Sequence, residues 1–507
     1  MKEKKLFGKK AGLALVSSML LASMVACSAE PSSESDGNEA SGGDLSTIKI
    51  MTTAYTPEPP TEESPALKAL EEFAGVNIDM NWVLDSAYSE KLNITMASGD
   101  LPHIMMIPDK IPSFVSAVRN GAFWELGPYL KDYPNLSQAN EVTLQNSSID
   151  GKVWGVYRAR PLGRLGVTVR ADWLRNLGME TPKTIDEFYD VLNAFTHDDP
   201  DGNGKDDTYG MVVSKYAGPW DIMQIWFGAH NKWGDDGSGN LEPDFMTAEY
   251  MEALKFFKKI YDEGLVNEDF AVMDPAKWGD PLMNGEAGVI VDVLDRGRRA
   301  DADMVKANPD LEKPIDVFGA IEGPKGMVTL PTAGYSGMLA IPKQSVKTEE
   351  ELKQVLAFLD KMEEPEAQIL AFNGIEGRNF ELDGETLVSL EADNEALKNE
   401  HTDLNQILPG ITGIRYYTPE KTEVAIKVDE LMKENEKYVV ANPAASLLSE
   451  VYATKGQQLD NIINDARIKF IVGQIDEAGF QDAIEVWKKS GGEDYIKEIN
   501  ELYAAQQ

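Results

Sequence analysis

The segment Asp199-Pro200-Asp201-Gly202-Asn203-Gly204-Lys205-Asp206-Asp207 sets oxygen donors at regular intervals. Side-chain oxygens at positions 1, 3, 5 and 9, a glycine at 6 and a backbone carbonyl at 7 are how an EF-hand loop wraps Ca2+. The ligands this predicts are Asp199, Asp201, Asn203, the carbonyl of Lys205, and Asp207. Position 12 is Gly210 instead of a bidentate Glu, so the loop is not a complete EF-hand. The same residue types also make ordinary Asx turns without an ion. Bound Ca2+ would stabilise the fold by linkage and would not catalyse.

Arginine is the second pattern. Arg158, Arg160, Arg164, Arg170 and Arg175 crowd into a stretch whose one acid is Asp172, and Arg296, Arg298 and Arg299 follow the apolar run 286–294. Such planar cations recognise carboxylates and sugar hydroxyls bidentately, although they can equally pair with the chain's own carboxylates. Aromatic residues are the third. Tyr157, Trp220, Trp278, Tyr335 and the pair Tyr416-Tyr417 beside Arg415 fall in expected loops or strand ends, where a ring could stack on a ligand. Trp82, Trp154 and Trp173 lie inside periodic segments and are expected in the core.

Catalytic patterns are poor. His103, His197, His230 and His401 are scattered with no HExxH pair, and Ser336 lacks the GxSxG spacing of a nucleophile elbow. Neither GxxxxGK[ST] nor GxGxxG occurs, so no nucleotide site is expected. A carboxylate pair for glycoside hydrolysis stays open, because 85 acidic residues always offer one.

Those acids dominate the charge. The 507 residues carry 48 Lys+Arg against 85 Asp+Glu, a net charge of −37, which repels nucleic acid and anionic lipid. At 42% apolar and 26% charged, most of the chain should fold as a soluble protein of more than one domain. The lone cysteine, Cys27, allows neither an intrachain disulfide nor a thiolate cluster. It follows five lysines within the first ten residues and the apolar run 11–26, which is too short for the ~20 residues of a spanning helix. Residues 1–26 therefore read as a secretory signal, and Met24-Val25-Ala26-Cys27 resembles a lipobox that would place lipid on Cys27. With residues 27–44 as lipidated cysteine and tether, the segment 28–43 would be a disordered leash with an end-to-end distance of roughly 20–25 Å.

The elements that must position these residues alternate. Residues 48–54 and 76–84 show period two, and Leu67, Leu70 and Phe73 mark a helix between them that ends at Gly75. That is a βαβ unit with a parallel sheet. A helix over 87–97 and a buried strand over 103–107 extend it. Thr184 and Thr348 each begin a capping box, Thr247 to Gly264 is a helix, and 286–294 and 336–342 are buried strands. The fold class expected is α/β with two lobes, and no internal repeat is present.

The stretches YSEKLNITMASGDLP (88–102), IDGKVWGVY (149–157), VRADWLRNLGMETPKTIDEFYDVLNAF (169–195), DPDGNGKDDTYG (199–210), LKFFKKIYDEGLVNEDF (254–270) and GFQDAIEVWKKSGGEDYIKEINELY (479–503) resemble the extracellular solute-binding proteins of family 1. The closest branch is that of lipoproteins similar to alginate-oligosaccharide-binding proteins. The matches run in order across nearly all of the secreted chain. His103 departs from the Asp that many members place after the SGD-x-P turn.

The resemblance implies a two-lobe, periplasmic-binding-protein-like fold with a hinge and an interlobe cleft. One lobe would be 45–160 plus 338–400 and the other 161–337 plus 401–507. It also implies capture of an oligosaccharide, including one that carries uronates, for the membrane permease subunits of an ABC importer. The protein would be a non-enzymatic monomer, lipid-anchored on the outer face of the cell membrane, touching the membrane through that anchor alone and binding no nucleic acid. Ligand contacts would come from Tyr157, Arg158, Arg160, Arg170, Trp220, Trp278, Arg296, Tyr335, Tyr416 and Tyr417. Related proteins carry a structural Ca2+ in a loop like 199–207, often with an acid where this chain has Thr208. The alternative is a surface-anchored polysaccharide hydrolase or lyase.

Overall fold

The computed structural model describes residues 45–391 and 394–506. The signal, Cys27 and the tether lie outside the described residues.

Two sheets organise the chain. The first has the order Asn77–Leu84, Thr47–Ala54, Ile104–Ile107, Tyr335–Ala340, Gly155–Ala159. Its first three strands are parallel, as the βαβ reading requires, and the last two join antiparallel. The connecting helix Pro65–Ala74 ends on Gly75 at φ 77°, a left-handed stop that glycine adopts without a Cβ clash. Ile50, Met105, Phe114, Leu339 and Leu356 are buried in the core around this sheet.

The second sheet has the order Ile315–Phe318, Leu165–Arg170, Ala287–Val293, Tyr209–Met211. One face packs against the helices Ile185–His197, Gly218–Trp226, Ala248–Asp262 and Glu450–Ile471, around Phe188, Trp226, Phe257 and Phe470. Val212, Trp278, Ile290, Val317 and Val428 form a separate cluster that includes the helix Glu423–Asn435. Close packing fixes one glycine here, since a Cβ on Gly288 would lie 2.0 Å from the Phe195 ring.

Thr348 makes a full capping box with Glu351, whereas Thr184 makes half of one. Its hydroxyl accepts from Glu187 N, while the Glu187 carboxylate takes the N–H of Lys183 instead of that of Thr184.

Three segments run side by side between the sheets. Residues 160–164 leave the first sheet for the second and 329–334 return. Arg160 N donates to Gly334 O at 2.9 Å, and Thr332 N to Leu162 O at 2.9 Å. A third segment joins them through Thr329 N to Tyr438 O at 2.9 Å and Val440 N to Thr329 O at 3.1 Å. Asn435, 1% exposed, ties this bundle to the second sheet: its amide donates to Gly163 O and Leu165 O, and its Oδ1 accepts from Ala320 N. Leu404, Ile407 and Leu408 pack in the first core, on the opposite side of the boundary expected at residue 400. The later return to the second sheet runs through 409–422 to the helix Glu423–Asn435.

Candidate functional site: a cation cluster at the crossing and a ring-walled cavity

The arginines divide by partner. Arg170 forms a fork with Asp172 at 2.8 and 2.5 Å and lies over the Trp173 ring, so its charge belongs to the second lobe's own structure. Arg296 pairs with Asp292, Arg298 and Arg164 with Asp295, all at 2.6–2.9 Å. Arg175 donates to the carbonyls of Glu312 and Lys313.

Arg158 and Arg160 differ from these, since neither has a carboxylate within salt-bridge distance among the described residues. Arg158 Nε is buried without any hydrogen-bond partner, and its only donation is a long one to Ser336 O at 3.5 Å. Burial holds its guanidinium below the ordinary arginine range, with Arg160 adding repulsion and the phenol of Tyr55 opposing it. Arg160 is shifted the same way, first by burial and then by Arg164. A buried donor left unpaired is costly and rare. Arg158 Nε is such a donor, whereas Arg160, next to it at the start of the crossing, is exposed to solvent. Arg415 also lacks a carboxylate partner among the described residues, but it is exposed and lies over the Phe372 ring at 3.3 Å.

The expected stacking rings fare differently. Tyr157 is 3% exposed and its hydroxyl accepts from Asn140 N at 2.8 Å. Trp220 is core, packed on Phe257 and Phe270 at 4.8 and 5.4 Å. Trp278 is 2% exposed, its Nε1 donating to Val212 O and its ring covered by Arg296 and Tyr216. None of the three offers an open face, because each lies where apolar area is withdrawn from water by its own lobe. Tyr335 is also buried and donates to Asp109 at 3.0 Å. Tyr416 is half-buried, and Tyr417 is exposed with φ 53°; their carbonyls accept from Asn373 at 3.0 and 3.1 Å. His103 accepts a hydrogen bond from Lys49 N at 3.1 Å.

Two further rings that spacing did not single out are more exposed than Tyr417. Tyr55, at the end of the first strand, is 60% exposed near Arg158, and Tyr216 is 51% exposed against Trp278. Lys110 donates to Asn146 O and Ala445 O, and burial brings its amine down to about 8 despite Asp109.

A cavity of about 300 Å3 opens in the second lobe. Its walls come from the 217–250 segment, Leu330 and the helices 450–471, 477–487 and 493–504. Trp233 meets Tyr495 edge-on at 5.1 Å, and Tyr452 stacks on Tyr495 at 4.9 Å. Between the rings, Arg467 donates to Asp221 at 2.6 Å and to Asn464 at 2.8 Å, Tyr452 donates to Asp460 at 2.7 Å, and Gln224 to Asp244 at 2.7 Å. Burial pushes the Asp244 carboxyl up to about 7, against the Gln224 hydrogen bond and with help from Asp221. No spacing signal predicted this site, since its two halves are more than 200 residues apart in sequence.

In the 199–207 loop, Asp199 Oδ2 accepts from Gly204 N at 3.0 Å, and Asp199 Oδ1 is buried without a partner. The Asn203 amide bridges the carboxylates of Asp201 and Asp207 at 2.7 and 3.1 Å. Among the described residues no three His, Cys, Asp or Glu side chains converge as a metal cluster.

The family model of the bacterial extracellular solute-binding proteins matches residues 53–369. The chain belongs to that family. It is 55% identical over 467 residues to lipoprotein LipO of Bacillus subtilis strain 168, covering 91% of this chain and 93% of that one. It is 36% identical over 469 residues to the polygalacturonan/rhamnogalacturonan-binding protein YtcQ of the same strain, with 91% and 92% covered. Structures of the Streptococcus pneumoniae ABC-transporter substrate-binding protein FusA share the fold. The kestose complex superposes with TM-score 0.61 at 22% identity, and an EF-hand mutant with fructo-nystose at 0.62 and 21%; each covers 91% of this chain and 99% of its own. Family membership makes this chain a binding protein and sets aside the hydrolase or lyase reading.

Proposed function

We propose that the chain captures a uronate-containing oligosaccharide by closure of its two lobes and delivers it to the permease subunits of an ABC importer. The observation that carries this reading is Arg158, a desolvated guanidinium whose Nε has no partner, beside the equally unpaired Arg160. A ligand carboxylate supplies what both lack, two acceptor lobes in the plane of a guanidinium fork. The polygalacturonan/rhamnogalacturonan relative supports the acidic sugar. Tyr55, Tyr216 and Tyr417 are exposed rings that could receive a sugar face, and Arg415 beside the half-buried Tyr416 is exposed as well. The three adjacent crossing segments would serve as the hinge, and contacts to both lobes at once would shift the population to the closed form. A lobe formed by 45–160 with 335–411, facing one formed by 161–328 with 423–506, fits the core membership.

The reading extends to the address and the metal. Lipid on Cys27 would anchor a monomeric head outside the membrane, a location supported by the lipoprotein relative. Asp199, Asp201, Asn203, the Lys205 carbonyl and Asp207 suit Ca2+. Asp199 Oδ1 needs a partner, and the Asn203 Nδ2 stands between two carboxylates where a cation would neutralise them.

Isothermal titration with oligogalacturonides, against the same oligomers with carboxyls reduced to alcohols, tests the ligand. Preferential binding of the reduced form would refute an arginine-directed uronate site. For the metal, chelation should lower Tm in the parent chain and leave Asp199→Ala unaffected; an unchanged parent Tm removes Ca2+ from the account.

A further inference from the structure

The strand Thr47–Ala54 stops before Tyr55, and the run that follows, Thr56-Pro57-Glu58-Pro59-Pro60, forms neither helix nor strand. Backbone N–H groups at such an end need acceptors from elsewhere. Asp403 serves two of them. Its Oδ2 accepts from Tyr55 N and Thr56 N, both at 3.0 Å, and from the Thr56 hydroxyl at 2.7 Å. A carboxylate is an acceptor only, and bonds from N–H and O–H to its charge are the strong kind, so one oxygen sets the direction in which the chain leaves the sheet.

Asp403 is itself firmly held. It is 4% exposed and takes φ 76°, in the left-handed region that L residues other than Asn and Asp seldom enter. Its neighbours fix it there: Leu404 and Ile407 are buried in the first core, Glu400 O accepts from the Ser64 hydroxyl, and His401 Nε2 shares a hydrogen bond with Glu391 at 2.8 Å. A backbone conformer of this kind persists where the surroundings over-determine it.

What the anchor carries is Tyr55. That residue is 60% exposed, and its phenol is close enough to the guanidiniums of both Arg158 and Arg160 to bear on their charge.

We infer that Asp403 is a positioning residue: by fixing the backbone of Tyr55 and Thr56, it holds the Tyr55 phenol beside Arg158 and Arg160 before ligand arrives. The inference rests on the proposed function, in which those arginines meet the ligand, and Asp403 acts through Tyr55 alone. Asp360 provides the comparison. It is 7% exposed and likewise accepts from two consecutive N–H groups, Asn135 at 2.8 Å and Leu136 at 2.9 Å, but the turn it holds carries none of the candidate site residues.

The experiment uses the full chain. Fluorine NMR reads meta-fluorotyrosine in place of Tyr55 without ligand, calorimetric titration reads affinity for an oligogalacturonide, and Tm is recorded for every variant. Asp403→Gly tolerates the left-handed backbone and removes the anchor. It should move or broaden the fluorine resonance and weaken the oligogalacturonide about tenfold, since a ring no longer held in place must be ordered by the ligand. Asp403→Asn keeps an acceptor oxygen and should restore both readouts. Asp360→Ala should lower Tm and leave both unchanged. In a Tyr55→Ala background, Asp403→Gly should cost no further affinity.

A lowered Tm in Asp403→Gly with resonance and affinity unmoved makes Asp403 a structural group and overturns the inference. A further loss of affinity in the Tyr55→Ala background overturns it too. Should Asp403→Gly not fold, Thr56→Val deletes one of the donors, and an unmoved resonance there has the same consequence. Failure of the parent chain to bind the oligogalacturonide removes the uronate reading beneath it, while the ligand-free resonance still decides whether Asp403 holds Tyr55.

Discussion

Arg158 and Arg467 are both withdrawn from water, but their surroundings are opposite. Arg467 crosses the second-lobe cavity wall with its Nη1 2.6 Å from Asp221, while Arg158 opens the crossing between sheets with an orphan Nε. A desolvated charge with a partner is part of the structure, and breaking its pair is expensive. One without a partner is a standing cost that a ligand can offset, the pattern by which perturbed groups mark functional sites. Arg170, Arg296 and Arg298, each held by an aspartate, fall with Arg467 in this contrast.

The largest effect should come from Asp221→Ala. It strands the buried Arg467 guanidinium and should destabilise the free protein by about 3 kcal/mol, seen in denaturant titration. A loss no greater than that of an exposed ion pair would mean that Arg467 finds another partner and would weaken the contrast. Next is Arg158→Gln, which should weaken uronate binding by about 2 kcal/mol, as loss of a charged hydrogen bond does. The Tm of the ligand-free protein should hold or rise, because a desolvated charge has been removed. A fall in that Tm would place Arg158 with Arg467 as a structural cation.

The smallest effect concerns Asp244, whose carboxyl faces Gln224, Asp221, Arg467 and Tyr250. With a folded value raised to about 7 above an unfolded one near 4, the native state binds more protons than the unfolded chain in that window. Stability from this group is therefore full at low pH and is lost as pH rises from about 4 to 7. Asp244→Asn removes the slope, so its Tm advantage over the parent should grow from pH 5 to pH 7 and level off above. A constant difference across that range would show that Asp244 titrates like an exposed carboxylate.

Much of the scaffold was legible because its signals are local. The alternation of 48–54 and 76–84, the stop at Gly75 and the box at Thr348 depend on neighbours within a few residues, and each takes the expected form. The 199–207 segment, read as a Ca2+ loop or an Asx turn, folds with Gly204 N donating to Asp199. Ring exposure was not legible. Trp220, Trp278 and Tyr157 resemble Tyr55 and Tyr216 in sequence context, but the first three are covered by residues of their own lobe that the chain brings in from elsewhere. The arginine cluster was visible as composition, yet which members keep a partner depended on Asp172, Asp292 and Asp295 reaching them.

The sequence by itself determined the acidic background, the alternating α/β elements, the family resemblance and the oxygen pattern of one loop, because composition, period and short spacing are carried along the chain. Only the tertiary structure decided which arginines go unpaired and that a ring-walled cavity exists at all. Desolvation and pairing depend on groups brought close in space, and the halves of that cavity meet only after the helix 450–471 packs against the segment that begins at Ala217.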